Sequence, residues 1–306
     1  MNTTTSSATA RLAVDTRSRV RLVLSVFKLR IATLIMITAL GGVAIVQGGS
    51  ASLAQVIVLA LCVLVAAGSA GGINQFVEAE SDRLMPRTRG RAFASGALPR
   101  SAAWLTVIVM LGVVAVTTCA WWVNGTAAFY VGLGAVTYAG VYTLGLKRRT
   151  AWNIVIGGLS GSFAVLAGAA AANPSITPAA WVLALVLFLW TPPHFWSLAI
   201  ASEADYRAAG VPMLPVVVGA QKAARIVHAS TLMLVSSILL LLPFVMTGGA
   251  GWPVAVGAIA GGAHFLRKTA ALRRDPNRKT AMAAFFASML QLSALLAGVA
   301  LDAAMR

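Results

Sequence analysis

Charge is what this sequence has least of. Asp, Glu, Lys and Arg together make up 10% of its 306 residues, and only 8 of them are acids. Cysteine is nearly absent as well. Cys62 and Cys119 both lie inside apolar runs, in no CxxC or Cys/His spacing, which argues against a disulfide framework or a thiolate metal site. What fills the space is apolar: 59% of the chain is hydrophobic, more than a soluble domain of this length needs. Apolar stretches near or above ~18–20 residues recur, the length that spans a bilayer as a helix. Backbone in lipid must satisfy its own hydrogen bonds, leaving helices or closed barrels. The runs are continuous rather than alternating, which selects helices.

The formal net charge of +16 raises nucleic acid as a partner, but its placement excludes that reading. Basic residues sit in short segments between apolar runs, as topology signals do. The pattern predicts nine spans, roughly 29–47, 53–76, 102–122, 126–145, 152–171, 177–199, 226–247, 251–266 and 280–301. Links after the first, third, fifth and seventh spans are short and uncharged; the others are longer and basic. Of the 24 Lys and Arg residues, all but Arg306 fall in the N-terminal tail and the basic links. This asymmetry puts the N-terminus in the cytoplasm and the C-terminus outside. The expected architecture is one all-α bundle of nine transmembrane helices over residues 25–306, preceded by a flexible cytoplasmic tail, 1–24. The tail is rich in Ser, Thr and Ala; an organelle transit peptide shares that composition and is the minor alternative. No secretory signal stands apart from the first span. Gly- and Ala-rich stretches such as AAGSAGGIN and LAGAAAA suit close helix packing in lipid.

Against this background, residues 73–91, INQFVEAESDRLMPRTRGR, stand out. Asn74, Glu78 and Asp82 are spaced i, i+4, i+8. Each step of four advances about 40° around a helix, so the three share one face where the second span leaves the membrane. Three oxygen donors on one face suit a hard cation such as Mg²⁺, which takes one or two carboxylates together with substrate phosphates. Arg83, Arg87, Arg89 and Arg91 follow, and guanidinium forks match phosphate oxygens. The plain alternative is a solvated helix end whose acids and arginines pair with each other.

A second acidic patch, Glu203 and Asp205 with Arg207, follows the sixth span on the same side, and Pro212 and Pro215 stop any helix there. Lys147, Arg148 and Arg149 lie between the fourth and fifth spans; they anchor topology, and Lys147 also suits a diphosphate oxygen. Residues 190–200, WTPPHFWSLAI, place two prolines inside a span, where they are expected to break its hydrogen-bond ladder. His194 in that stretch is either a buried histidine bonded to a freed carbonyl or a functional group within the membrane. His228 and His264 read as interfacial filler.

Taken together, these stretches resemble the UbiA superfamily of intramembrane prenyltransferases over roughly residues 25–302, and within it the heme-farnesylating branch. Asn74, Glu78 and Asp82 match the first acidic motif, NxxxDxxxD. YTLGLKRRTAWNIVIGG (142–158) matches the branch's basic loop and helix start. DYRAAGVPMLPVV matches its second acidic motif, with the aspartate at Asp205, and WTPPHFWSLAI is its most discriminating stretch. The chain departs from the pattern at Glu78, where the usual residue is Asp, at Val77 and Ala92, and at Glu203-Ala204. The resemblance implies transfer of a farnesyl group from farnesyl diphosphate to a vinyl group of heme b, giving heme O. It implies Mg²⁺ on Asn74, Glu78, Asp82 and Asp205, with Lys147 beside these carboxylates in the catalytic set. Arg87, Arg91, Arg148, Asn153, Tyr142 and His194 are the implied diphosphate or heme contacts. It further implies a multi-pass protein of the bacterial inner membrane, less so of the mitochondrial one, and a heme A synthase as partner. Two rivals stay open: another enzyme of the superfamily acting on a quinone or chlorophyllide precursor, and a non-catalytic heme or lipid transporter or binding protein.

Overall fold

The computed structural model describes residues 19–247 and 251–306. Apart from residues 19–24, the expected flexible tail lies outside the described residues. Those six are helical, part of α1 (Arg19–Val26). A 50° bend separates α1 from α2 (Leu29–Ile45), and the residue at the bend, Lys28, holds a left-handed backbone with φ 47°.

Among the described residues the secondary structure is helical, with no strand. The long elements are α2, α3 (Leu53–Val77), α5 (Ala102–Trp122), α6 (Gly125–Val136) continuing as a π-helix (Thr137–Leu146), α8 (Leu159–Ala172), α9 (Pro178–Ala201), α12 (Ala220–Leu239), α14 (Trp252–Arg274) and α15 (Arg278–Ala304). Short helices connect them: α4 (Ala79–Arg83), α7 (Asn153–Gly157), α10 (Glu203–Ala208), α11 (Leu214–Val218) and α13 (Leu242–Met246). Among the described residues, seven helices are long and apolar enough to cross a membrane, or eight if the bent α1–α2 pair counts as one. The region expected as the eighth span is helical in α14, but its second half carries His264, Arg267, Lys268, Arg273 and Arg274.

The long helices touch in chain order, and α15 returns to α2, closing the ring; α2–α8 and α9–α15 contacts cross it. The α2–α8 crossing is backbone against backbone. A Cβ on Gly168 would run into the carbonyl oxygen of Ala39, and one on Gly42 into that of Val165. Small residues permit such approach where lipid supplies no hydrophobic drive. Large apolar side chains instead cover the outside: Trp121 is 86% exposed and Trp122 65%.

Helix starts follow their caps. Ser52 and Gln55 form a reciprocal capping box at α3, and Asn277 with Thr280 does so at α15. Pro212 acts as expected, in the non-helical stretch after α10 ends at Ala208. Pro215 does not: it sits in the first turn of α11, where a proline starts a helix rather than stopping one. Nor does the pair Pro192–Pro193. α9 runs through both to Ala201, which corrects the expected break. Two ladder donors are missing there, yet the neighbouring Thr191 and Ser197 hydroxyls bond within the helix, to Leu187 O (3.0 Å) and Pro193 O (2.7 Å), and helices packed on α9 hold its course.

Candidate active site

The INQFVEAESD stretch forms the floor of the site. α3 and α4 meet at Glu78, which leaves helical geometry (φ −89°, ψ 6°), but the register survives. Glu78 N–H donates to Asn74 O (3.0 Å) and Asp82 N–H to Glu78 O (2.8 Å). Each of these residues is thus hydrogen-bonded by backbone to the one before, which carries the i, i+4, i+8 spacing across the junction. All are buried: Asn74 at 2% exposure, Glu78 at 3% and Asp82 at 0%.

Each oxygen-bearing side chain meets a different cation. Lys147 Nζ lies 2.5 Å from the Glu78 carboxylate. Arg91 Nη1 donates to both Asp82 oxygens, at 2.9 and 2.7 Å. Lys28 Nζ donates to Asn74 Oδ1 and, at 3.4 Å, to Tyr138 Oη. The glutamate that departs from the family pattern is the one bonded to Lys147. A buried carboxylate without a partner would be costly, and these cations come from three separate segments, so the pairing ties α1–α2, the Arg91 loop and the π-helix to one floor.

The π-helix supplies the opposite wall. Its wider turn is closed by Lys147 N–H donating to Tyr142 O (2.9 Å) and by Thr143 Oγ donating to Tyr138 O (2.8 Å). Thr143 in turn accepts from Asn74 Nδ2 (3.1 Å). The Tyr138 and Tyr142 rings stack 5.8 Å apart, and Lys147 Nζ lies 5.8 Å from the Tyr142 ring centre, within cation–π reach. π-Helical turns recur at functional sites, and here one turn presents two rings, a hydroxyl and an ammonium together. Tyr142 packs on Gly157, where a Cβ would come 2.7 Å from the ring. Asn153, fully buried, donates from Nδ2 to Thr150 O (2.6 Å) and Lys147 O (3.4 Å). It therefore shapes the loop that carries Lys147.

Several sequence-predicted residues stand further out. Arg87 is exposed but close enough to Tyr142 to act on it electrostatically, as are Glu78 and Tyr206. Arg148 is exposed. Asp205 is half-buried on α10 beside buried Tyr206, and Glu203 is paired with Arg207 at 2.5 Å. Among the described residues no three acids, histidines or cysteines gather closely enough to hold a metal by themselves.

His194 belongs to a different cluster, between α9 and α15. Its ring is sandwiched by Trp190 (4.1 Å, 19°) and Phe285 (4.6 Å, 26°). Nδ1 lies 2.7 Å from Ser288 Oγ, and Trp190 Nε1 donates to Ser288 O (2.9 Å). Ser288 Oγ itself donates to Phe285 O at 2.6 Å. The hydroxyl therefore bridges His194 Nδ1 and Phe285 O, and the position of its proton sets the imidazole tautomer.

Lys28, Tyr138, Tyr206 and Ser288 were not singled out by sequence reasoning. Lys28 counted only as a topology charge, although a lysine where helix and tail meet was already a hint.

Comparison with known proteins follows the same lines. The model of the UbiA prenyltransferase family matches residues 35–290. Protoheme IX farnesyltransferase 2 of Paramagnetospirillum magneticum is 50% identical over 93% of this chain and 98% of its own length. Protoheme IX farnesyltransferase of Marinobacter nauticus is 38% identical over 91% of each. Among solved structures, digeranylgeranylglyceryl phosphate synthase superposes with TM-score 0.74 at 17% identity, covering 94% of this chain and 99% of its own. A UbiA homologue from Archaeoglobus fulgidus bound to DMAPP and Mg²⁺ does so with TM-score 0.65 at 13% identity, over 89% and 99%. At these identities the structural likeness speaks for the fold alone.

Proposed function

This chain belongs to the UbiA prenyltransferase family, and from that premise we infer that it is a protoheme IX farnesyltransferase. It transfers the farnesyl group of farnesyl diphosphate to a vinyl group of heme b, and addition of water gives heme O. The observation that carries the reading is the buried ladder Asn74–Glu78–Asp82, faced by Lys28, Lys147 and Arg91, at the end of an apolar bundle. Full-length relatives of that name support it.

Two carboxylates and an amide oxygen, all buried, are donors of the kind Mg²⁺ takes together with phosphate oxygens, once the cations that hold them here turn away. Asn74, Glu78 and Asp82 would hold the ion, with Asp205 reaching it from α10, and the ion would supply charge neutralisation for the leaving diphosphate. The chain's own groups do the rest. Lys147, Arg91 and Lys28 turn from the ladder to the diphosphate, so charge developing on its oxygens meets preset cations. Arg87 and Arg148 attract the anion at the mouth. The C–O bond breaks with its electron pair on diphosphate, leaving an allylic cation. Tyr138 and Tyr142 offer π-faces to that cation and keep early water away. Asn153 positions Lys147 through its loop. His194 faces heme, and Ser288 holds its ring in place.

In the same reading the chain spans the bacterial inner membrane nine times, with the apolar first half of α14 as the eighth crossing. The site lies on the cytoplasmic side and the C-terminus outside. A heme A synthase is the partner that would take the product. An acceptor test separates the rivals: membranes from cells expressing the chain accumulate heme O. Unchanged heme content alongside a prenylated quinone or chlorophyllide would replace the acceptor, and unchanged pigments of every kind would favour a binding protein.

A further inference from the structure

A second site lies away from the ladder. Between α12 and α14 a groove of about 450 Å³ is lined by Gln221, Arg225, His228, Ala229, Leu232 and Arg273. The α12 residues at 221, 225, 228/229 and 232 repeat at helical spacing, so they form one outward stripe. That stripe grades from polar to apolar. Gln221 and Arg225 stand at the start of α12 next to Arg273 near the end of α14, and exposed Ala229 and Leu232 run on toward the middle of α12.

Two contacts between the helices build the groove. Gln221 Nε2 donates to Arg273 O (3.1 Å), and His228 Nδ1 lies 3.0 Å from Thr269 Oγ. Neither guanidinium has an ion-pair partner among the described residues, and no acid lines the groove. Asp275, the acid at that end of α14, is engaged by Asn277 Nδ2 at 2.6 Å. The result is a groove at a helix-pair boundary with two unpaired cations at one end and an exposed apolar track running along α12 from it.

We propose that this groove binds the phosphate headgroup of an anionic phospholipid, with one acyl chain laid along Ala229 and Leu232. The charge selects an anion. The apolar continuation selects an anion that carries a hydrocarbon tail, which a free phosphate ion would leave uncovered. Basic pockets between membrane helices bind such headgroups. The site is independent of the farnesyl-transfer reading, since none of its residues belongs to the ladder or to the His194 cluster.

The test uses the full chain, delipidated in detergent and exposed to phosphatidylglycerol or phosphatidylcholine of identical acyl chains, with bound lipid counted by native mass spectrometry. Each arginine is worth roughly fivefold in affinity and the pair about 30-fold. Arg225→Gln/Arg273→Gln should therefore lose phosphatidylglycerol about 30-fold, keep its weak phosphatidylcholine binding and keep farnesyl transfer. Arg225→Lys/Arg273→Lys should retain most of the preference, showing that charge rather than folding is read. Equal phosphatidylglycerol retention by the glutamine pair overturns the proposal, as does a native chain with no preference between the lipids. Displacement of phosphatidylglycerol by millimolar inorganic phosphate would assign the site to a free anion instead.

Discussion

Replacing Lys147 with alanine separates what this side chain does for stability from what it does for chemistry. The Lys147 and Glu78 side chains are 14% and 4% exposed and 2.5 Å apart. Removing one partner of a buried pair leaves the other charge uncompensated, at about 3–5 kcal/mol. Lys147→Ala should therefore destabilise the protein by about 3 kcal/mol. In Lys147→Ala/Glu78→Gln the stranded charge is gone, and most of the stability should return. Turnover should not return. A missing preset cation at a developing anion costs about 10²–10³-fold, and the double variant has also lost a carboxylate. Thermal unfolding in detergent measures the first quantity, and heme O formation from heme b and farnesyl diphosphate the second. A double variant as unstable as the single one would refute the ion-pair account. Undiminished turnover in Lys147→Ala would refute the diphosphate role.

Other outcomes follow from the same geometry. Ser288→Ala removes the partner of His194 Nδ1 at a cost of about 1–3 kcal/mol in hydrogen bonding. Turnover should fall while farnesyl diphosphate KM holds, and Ser288→Thr should restore it, as steady-state kinetics of both variants will read. Gly168→Ala pushes α8 off the Ala39 carbonyl and should cost about 3 kcal/mol or more in thermal stability, whereas Gly161→Ala, facing open space, should cost well under 1 kcal/mol. Gly157→Ala moves Tyr142, and a drop in turnover larger than the drop in melting temperature would mark that ring as part of the site. Chelation should stop transfer, and added Mg²⁺ should restore it.

What the sequence made legible was local. The Asn74, Glu78 and Asp82 register survives the α3–α4 junction because the two backbone hydrogen bonds that define it are themselves i to i−4. The gap after α10 at Pro212 could be read because a proline's effect on the backbone acts within a few residues. What stayed hidden came from other helices. Lys28 reaches Asn74 across 46 positions and Ser288 reaches His194 across 94, and no periodicity in one chain announces such a meeting. The π-helix was hidden because one inserted residue per turn shifts an apolar pattern too little to notice, so Tyr138 was passed over. The proline pair misled for a related reason: a lost ladder bond is a local fact, but whether a helix then breaks is decided by the helices packed around it.

The central claim is that the buried ladder ionises a prenyl diphosphate for attack by heme. The direct measurement is mass spectrometry of heme extracted after purified protein is incubated with heme b, farnesyl diphosphate and Mg²⁺, with Asp82→Asn run alongside. The account predicts a heme heavier by one farnesyl group and one hydroxyl group with the native chain, and only unreacted heme b with Asp82→Asn. Heme bound but unchanged by the native chain, or the same product yield from Asp82→Asn, would contradict it.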